Sequence, residues 1–252
     1  MITTSGCVNL CSKEPIITIE MVGKSSVKYG NLSDIFLGIQ GEGLWVGKRQ
    51  LFIRFSGCNL RCKFCDTKYA QTPSRECLFF GERLKNPINA LWLKEKIKDI
   101  NFHSISLTGG EPLLQIDFLK EFLVPKEYIV YLDTNGSLPF EFEKIKDLID
   151  LVCMDIKLPS STRQRPLWDE HKKFLIQAKD IFVKMVITEE TEEDDFLYGV
   201  EVVNDISSKI PLVLQSSKKG LFDRLFYFQE KALKKLSDVR IVPQVHKVFG
   251  IK

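Results

Sequence analysis

Gly57-Cys58-Asn59-Leu60-Arg61-Cys62-Lys63-Phe64-Cys65-Asp66 follows an apolar run at residues 50–55, and its cysteine spacing decides how the rest of the chain is read. The C-x3-C-x2-C pattern puts three soft thiolates, Cys58, Cys62 and Cys65, on one short loop, close enough to hold a single iron–sulfur cluster. A cubane normally takes four cysteines, one per iron. With three, one iron has no protein ligand and stays open to a molecule that reacts. The competing reading is a structural zinc site. Zinc modules use four ligands, commonly as two C-x2-C pairs, and no second pair lies nearby. Cys7 and Cys11 make a C-x3-C in an unpatterned tail, where an incidental role is expected. Cys77 and Cys153 read as ordinary buried or loop thiols, free cysteine being among the most buried residue types.

Outward from that loop, strands and helices alternate. Candidate strands are residues 50–55, 105–107, 129–132, 151–154, 181–187, 212–214 and 239–242. Candidate helices are residues 88–100, with Asn86-Pro87 as a start signal, then 113–123, 140–148, 168–178, 192–207 and 221–236. This alternation predicts βα units around a parallel sheet. Residues 37–43 read as a glycine-spaced loop, 16–22 as an extended edge segment and 23–30 as a turn. No repeat, low-complexity tract or linker divides the chain, so the expected organisation is an N-terminal extension, 1–33, and one catalytic domain, 34–252.

Polar residues gather after the strands. Thr108-Gly109-Gly110-Glu111-Pro112, Asp133-Thr134-Asn135-Gly136, Asp155-Ile156-Lys157, Gln215-Ser216-Ser217 and Gln244-Val245-His246-Lys247 each follow a candidate strand, as Cys58 does. Parallel sheets and barrels place active sites at the carboxyl ends of their strands, so this registration points to an enzyme. Two consecutive glycines let backbone approach a ligand closely, and Glu111 adds a carboxylate suited to an ammonium group.

The bulk numbers exclude less. With 252 residues, 44% of them apolar and 27% charged, the chain can bury a core as an ordinary soluble protein does. A net charge of +3 without a basic arm does not imply nucleic acid and would suit a small anionic ligand. No signal peptide or membrane span is read, and seven cysteines are an odd number. A cytoplasmic protein using its thiols for metal or redox chemistry is therefore expected.

The cysteine loop followed by Gly109-Gly110-Glu111-Pro112 closing a strand resembles the radical S-adenosylmethionine (SAM) superfamily. That resemblance implies a partial, open βα barrel, a parallel sheet with outer helices. It also implies a [4Fe–4S] cluster whose open iron chelates SAM, and reductive cleavage of SAM to a 5′-deoxyadenosyl radical that takes a hydrogen atom from substrate. Within the superfamily, Ile39-Gln40-Gly41-Glu42-Gly43, Phe52-Ile53-Arg54-Phe55-Ser56-Gly57-Cys58, Cys65-Asp66-Thr67 and Gln244-Val245-His246-Lys247 look like the 7-carboxy-7-deazaguanine synthase family. The likeness runs from about residue 34 onward. Members of that family turn 6-carboxy-5,6,7,8-tetrahydropterin into 7-carboxy-7-deazaguanine with loss of ammonia, using Mg2+, toward queuosine or archaeosine.

By the same resemblance Ile39, Gln40, Gly41, Glu42, Arg54, Thr108, His246 and the α-carboxylate of Lys252 contact substrate. Gly109, Gly110, Glu111, Asp155, Lys157 and Gln215 contact SAM, and Thr67 holds Mg2+ with waters and substrate oxygens. The residue chemistry agrees. Arg54 suits a carboxylate through two parallel N–H bonds, while Gln40 and Glu42 suit a pterin's amide and amino edge. His103 and His171 read as surface or satisfied groups. Asp155-Ile156-Lys157 stands where many members have Ser-Pro-Lys, and Gln215-Ser216 where many have Gln-Pro. A homodimer and an electron donor such as flavodoxin or ferredoxin are implied, with no membrane and no direct nucleic-acid contact. Two other readings stand beside this one: a radical SAM activase acting on a partner protein's glycine, and a non-catalytic zinc- or cluster-bearing scaffold.

Overall fold

The computed structural model of the chain describes residues 27–245 and residue 250. The segment at 16–22, Cys7, Cys11, His246, Lys247 and Lys252 lie outside the described residues. The strands are β1 (Tyr29–Gly30), β2 (Leu32–Ile39), β3 (Arg49–Phe55), β4 (Glu76–Phe79), β5 (Glu82–Lys85), β6 (Ile88–Asn89), β7 (Ser104–Gly109), β8 (Val130–Thr134), β9 (Leu151–Asp155), β10 (Ile181–Ile187), β11 (Leu212–Ser216) and β12 (Val239–Ile241). The helices are α1 (Ala90–Ile97), α2 (Ile116–Leu123), α3 (Pro139–Glu143), α4 (Pro159–Thr162), α5 (Trp168–Leu175), α6 (Glu193–Asn204) and α7 (Phe222–Ala232).

β3, β7, β8, β9, β10, β11 and β12 lie side by side in that order and all run parallel. Beyond β3 the sheet continues through β2, antiparallel to it, then β4 and β5. Its two edges, β12 and β5, do not pair with each other, so the barrel is open. β1 and β6 form a separate two-stranded ladder.

Alternation along each strand builds two layers. In β3, Leu51, Ile53 and Phe55 face out to the helices and join the main core with Phe118, Leu119 and Phe122 of α2. The opposite face looks into the barrel. Deep inside, Tyr131, Leu151, Cys153, Phe182 and Val213 form a second apolar cluster with Leu44, Trp45 and Val242, which closes the floor. Gly43 permits this closure. Its φ of +66° suits glycine, and a Cβ there would lie 2.2 Å from the Phe182 ring.

All seven expected parallel strands are present. The differences lie at the periphery. Residues 37–39, expected in a loop, end β2, and Tyr29–Gly30, expected in a turn, pairs with Ile88–Asn89. Helix α1 starts from Asn89, whose side chain accepts the Trp92 N–H at 2.9 Å, and not from Asn86-Pro87. The run 140–148 divides into α3 and a 3-10 turn at Lys146–Leu148. β2 begins at Leu32, two residues before the boundary drawn at 34.

Candidate active site

A cavity of about 470 Å³ opens inside the barrel at the carboxyl ends of the parallel strands. That volume suits a small-molecule ligand. The inner face supplies Phe52 and Arg54 from β3, Ser106 and Thr108 from β7, Tyr131 and Asp133 from β8, Asp155 from β9, Lys184 and Val186 from β10 and Gln215 from β11. Cys58, Cys62, Cys65 and Thr67 line the same cavity from the loop after β3, and Ile39, Gln40, Gly41 and Glu42 line it from the end of β2.

The cysteine loop is tied down by its backbone. The Gly57 N–H donates to Ala70 O at 2.8 Å, Cys58 N–H to Gln71 O at 3.0 Å and Lys63 N–H to Thr162 O at 3.1 Å. Glu111 N–H closes on Gly57 O at 2.9 Å, so the double-glycine turn and the cysteine loop are one unit. Both glycines are needed there. Gly109 has φ +113°, and a Cβ on Gly110 would lie 2.0 Å from Gly57 O. Asn135 Nδ2 donates to Asn59 Oδ1 at 2.9 Å, linking the end of β8 to the loop.

The donor set fits an iron–sulfur cluster. All three thiols are free, and among the described residues no three His, Cys, Asp or Glu side chains converge as a single metal ion would require. A cubane asks for something different, one cysteine on each of three irons. Burial pushes the Cys58 thiol up and the Cys62 thiol up to about 11, while the Lys157 ammonium pulls both back down. Lys157 thus favours the thiolates that metal binding takes up. It is itself anchored by Asp155 Oδ2 at 2.7 Å.

Above its apolar floor the cavity carries charge. Lys184 Nζ lies 3.1 Å from Glu42 Oε2, 3.4 Å from Asp133 Oδ1 and 3.5 Å from Asp155 Oδ2. Glu42 Oε1 accepts from Gln244 Nε2 at 2.5 Å, and Asp133 Oδ2 from Thr108 Oγ1 at 3.1 Å. Arg54 lies across the Phe36 ring at 5.9 Å. Several inward polar atoms have no hydrogen-bond partner among the described residues: Arg54 Nε, Ser106 Oγ, Asp155 Oδ1 and Gln215 Nε2. Orphaned buried polar atoms are rare and call for a partner. Four of them face this one cavity, so its wall has polar groups to offer a bound molecule.

Among the candidates that fall on described residues, every one lines this cavity except Glu111. Its carboxylate, expected to receive an ammonium, is turned inward instead. It accepts Leu113 N–H at 3.1 Å, Thr134 Oγ1–H at 2.8 Å and Asn135 N–H at 2.8 Å. Burial pushes it up to about 7 against those bonds. Glu111 therefore fastens the turn to the end of β8. Gln40 lines the cavity, and its amide also donates to Gln50 Oε1 at 2.8 Å and accepts the Glu42 N–H at 3.0 Å, so it shapes the loop that carries Glu42. His171 is buried, with Nε2 paired to Asn135 O at 3.0 Å. His103 stacks edge-on against Trp45. Cys77 and Cys153 are buried, as expected. Sequence reading missed Lys184, Asp34 and Tyr69. Tyr69 O–H donates to Asp34 Oδ2 at 3.3 Å beside Arg54. Among the described residues, no helix is long and apolar enough to cross a membrane.

Comparison with known proteins gives the same picture. A family model described as the radical SAM superfamily matches residues 52–196, more than half of the chain. A protein of Geobacter sulfurreducens named 7-carboxy-7-deazaguanine synthase is 36% identical over 242 residues, covering 87% of this chain and 96% of that protein. One of the same name from Archaeoglobus fulgidus is 32% identical, covering 88% and 99%. Among solved structures, QueE from Escherichia coli superposes with a TM-score of 0.60 at 19% identity, over 86% of this chain and 95% of that one, which shows a shared fold.

Proposed function

Because this chain belongs to the radical SAM superfamily and, within it, to the family of 7-carboxy-7-deazaguanine synthases, we infer that it is a carbon–nitrogen lyase. It converts 6-carboxy-5,6,7,8-tetrahydropterin to 7-carboxy-7-deazaguanine with loss of ammonia, toward queuosine or archaeosine. The observation that carries this reading is one cavity of about 470 Å³ shared by the three cysteines, the double-glycine turn and the Glu42–Arg54 face. The glycyl-radical activase gains nothing from the relatives, which are named for deazaguanine synthesis over almost their whole length. A non-catalytic scaffold has no use for four orphaned polar atoms around one cavity.

Cys58, Cys62 and Cys65 would hold the [4Fe–4S] cluster, and the backbone at Gly109 and Gly110 with Asp155, Lys157 and Gln215 would hold SAM. When bound, these groups supply a radical that takes a hydrogen atom from substrate, and the protein supplies orientation and exclusion. Arg54 grips the substrate carboxylate through its fork, Nε included. Glu42 accepts N–H groups of the pterin edge, while Thr108, Ile39 and Gly41 frame it. The apolar floor of Tyr131, Cys153, Phe182 and Val213 keeps water from entering behind the substrate. Thr67, whose Oγ1 is 3.7 Å from Cys65 Sγ, would give Mg2+ one protein oxygen, with waters and substrate as the rest. A cytoplasmic homodimer served by flavodoxin or ferredoxin completes the reading.

The test is anaerobic reconstitution with iron and sulfide, then incubation with reductant, SAM, Mg2+ and the carboxypterin. Formation of 7-carboxy-7-deazaguanine is expected. Absence of both that product and 5′-deoxyadenosine overturns the reading.

A further inference from the structure

Lys184 sits mid-strand in Ile181-Phe182-Val183-Lys184-Met185-Val186-Ile187 and is 7% exposed. Side chains two apart share a face of a strand. Phe182, on the same face, belongs to the floor cluster, and Val186 lines the cavity above. A lysine is almost never buried without partners. This one has three, from three separate parts of the fold: Glu42 beyond β2, Asp133 on β8 and Asp155 on β9. Its ammonium donates hydrogen bonds to Glu42 and Asp133 and forms an ion pair with Asp155. Burial works against its charge, yet Asp133 and Glu42 hold Lys184 well above the usual lysine range.

The three partners do different work. Glu42 is the carboxylate read above as the acceptor for the pterin edge. With Gln244 on Oε1 and Lys184 on Oε2, both of its oxygens are directed. Asp155 also holds Lys157, which lies beside Cys62 on the SAM-binding side. Asp133 joins Thr108 on the substrate side. A single cation thus ties the substrate half of the cavity to the cofactor half.

We propose that Lys184 is a positioning residue for this reaction: it aims the Glu42 carboxylate and fixes the bound substrate in register with the SAM-binding side, a role that rests on the functional reading given above. Without the cation, three carboxylates face one another in a buried space, and Glu42 turns away. Misplacing a reacting group by about 1 Å can cost on the order of a hundredfold in rate.

The experiment uses reconstituted holoenzyme carrying Lys184→Met, with Lys184→Gln as a second variant that keeps a donor and guards against misfolding. The expected result in both is a KM for the carboxypterin raised about tenfold or more, together with a higher ratio of 5′-deoxyadenosine released to deazaguanine formed. Because Lys184 acts through Glu42, adding Lys184→Gln to Glu42→Gln should raise KM by less than about twofold beyond Glu42→Gln alone. Unchanged KM and ratio in the single variants overturns the proposal. So does a double variant whose losses multiply, since that is the behaviour of an independent structural residue. Either result with an active wild type leaves the functional reading standing, whereas an inactive wild type removes that reading and this role with it.

Discussion

Glu111→Gln keeps the shape of a wholly buried side chain and removes its proton equilibrium. The wild-type carboxyl is fully buried and accepts three hydrogen bonds, from Leu113 N–H, Thr134 O–H and Asn135 N–H. Burial pushes it up from 4.5 to about 7, against the pull of those donors. Between these two pH values the folded state binds more protons than the unfolded chain. Stability from this group is therefore fully present below about pH 4.5 and is lost as pH rises through about 7. At about 1.4 kcal/mol per pH unit, the loss comes to roughly 3 kcal/mol. Glutamine does not titrate. Its oxygen can serve Leu113 and Thr134, both of which meet Oε1, while the Asn135 N–H is left facing an NH2 group. That misfit is a pH-independent cost of about 1–3 kcal/mol. The assay is urea unfolding of both proteins from pH 4.5 to 7.5, with the free energies subtracted at each pH so that titrations common to both cancel. The stability of wild type minus variant should fall by roughly 3 kcal/mol across that range. A flat difference refutes the reasoning, because it means the three donors keep Glu111 ionised throughout.

Two further substitutions probe the cavity. Gly110→Ala places a Cβ 2.0 Å from Gly57 O and 2.7 Å from Ala70 O, both backbone atoms that cannot rotate away. Strain of about 1–3 kcal/mol should distort the cysteine loop. Iron and sulfide per chain after reconstitution should drop well below wild type, and full loading would contradict this account. Arg54→Lys keeps the charge and loses the planar fork. The KM for the carboxypterin should rise about tenfold, with cluster content unchanged. A KM equal to that of wild type would show that Arg54 does not hold the substrate carboxylate.

The central parallel strands, β7 to β11, were legible because they are buried on both faces, by helices outside and by side chains inside. Residues 181–187 and 212–214 are short apolar runs for that reason, and β10 and β11 stand where those runs predict. β2 was hidden because Ser33, Asp34 and Gly38 look like turn chemistry, and only pairing with β3 and β4 on either side makes this segment a strand. The β4–β5 hairpin was hidden because it sits at the sheet edge, where exposed Glu76, Glu82, Arg83 and Lys85 leave no apolar alternation to read. Helix lengths were overdrawn where the last turn loosens, as at Lys146–Leu148.

The site separates along a sharper line. Spacing within one loop reports on ligation, because cysteines held on one short loop are held close together, and Cys58, Cys62 and Cys65 do share one cavity wall. Spacing says nothing about which way a polar side chain turns, and that is where Glu111 departs from the expectation. Its carboxylate faces inward because the buried N–H groups of Leu113 and Asn135 need acceptors. Lys184 escaped for the opposite reason. Its partner Glu42 lies 142 residues away in sequence, so no local pattern joins them. The signal was a charged residue at an inner position of an otherwise apolar parallel strand. Such a strand has helices on one side and the barrel interior on the other. A lysine held there needs acid partners arriving from other strands, and the ends of strands are where Asp133 and Asp155 stand. Here the inner-face charge at Lys184 points to the cavity without any family likeness.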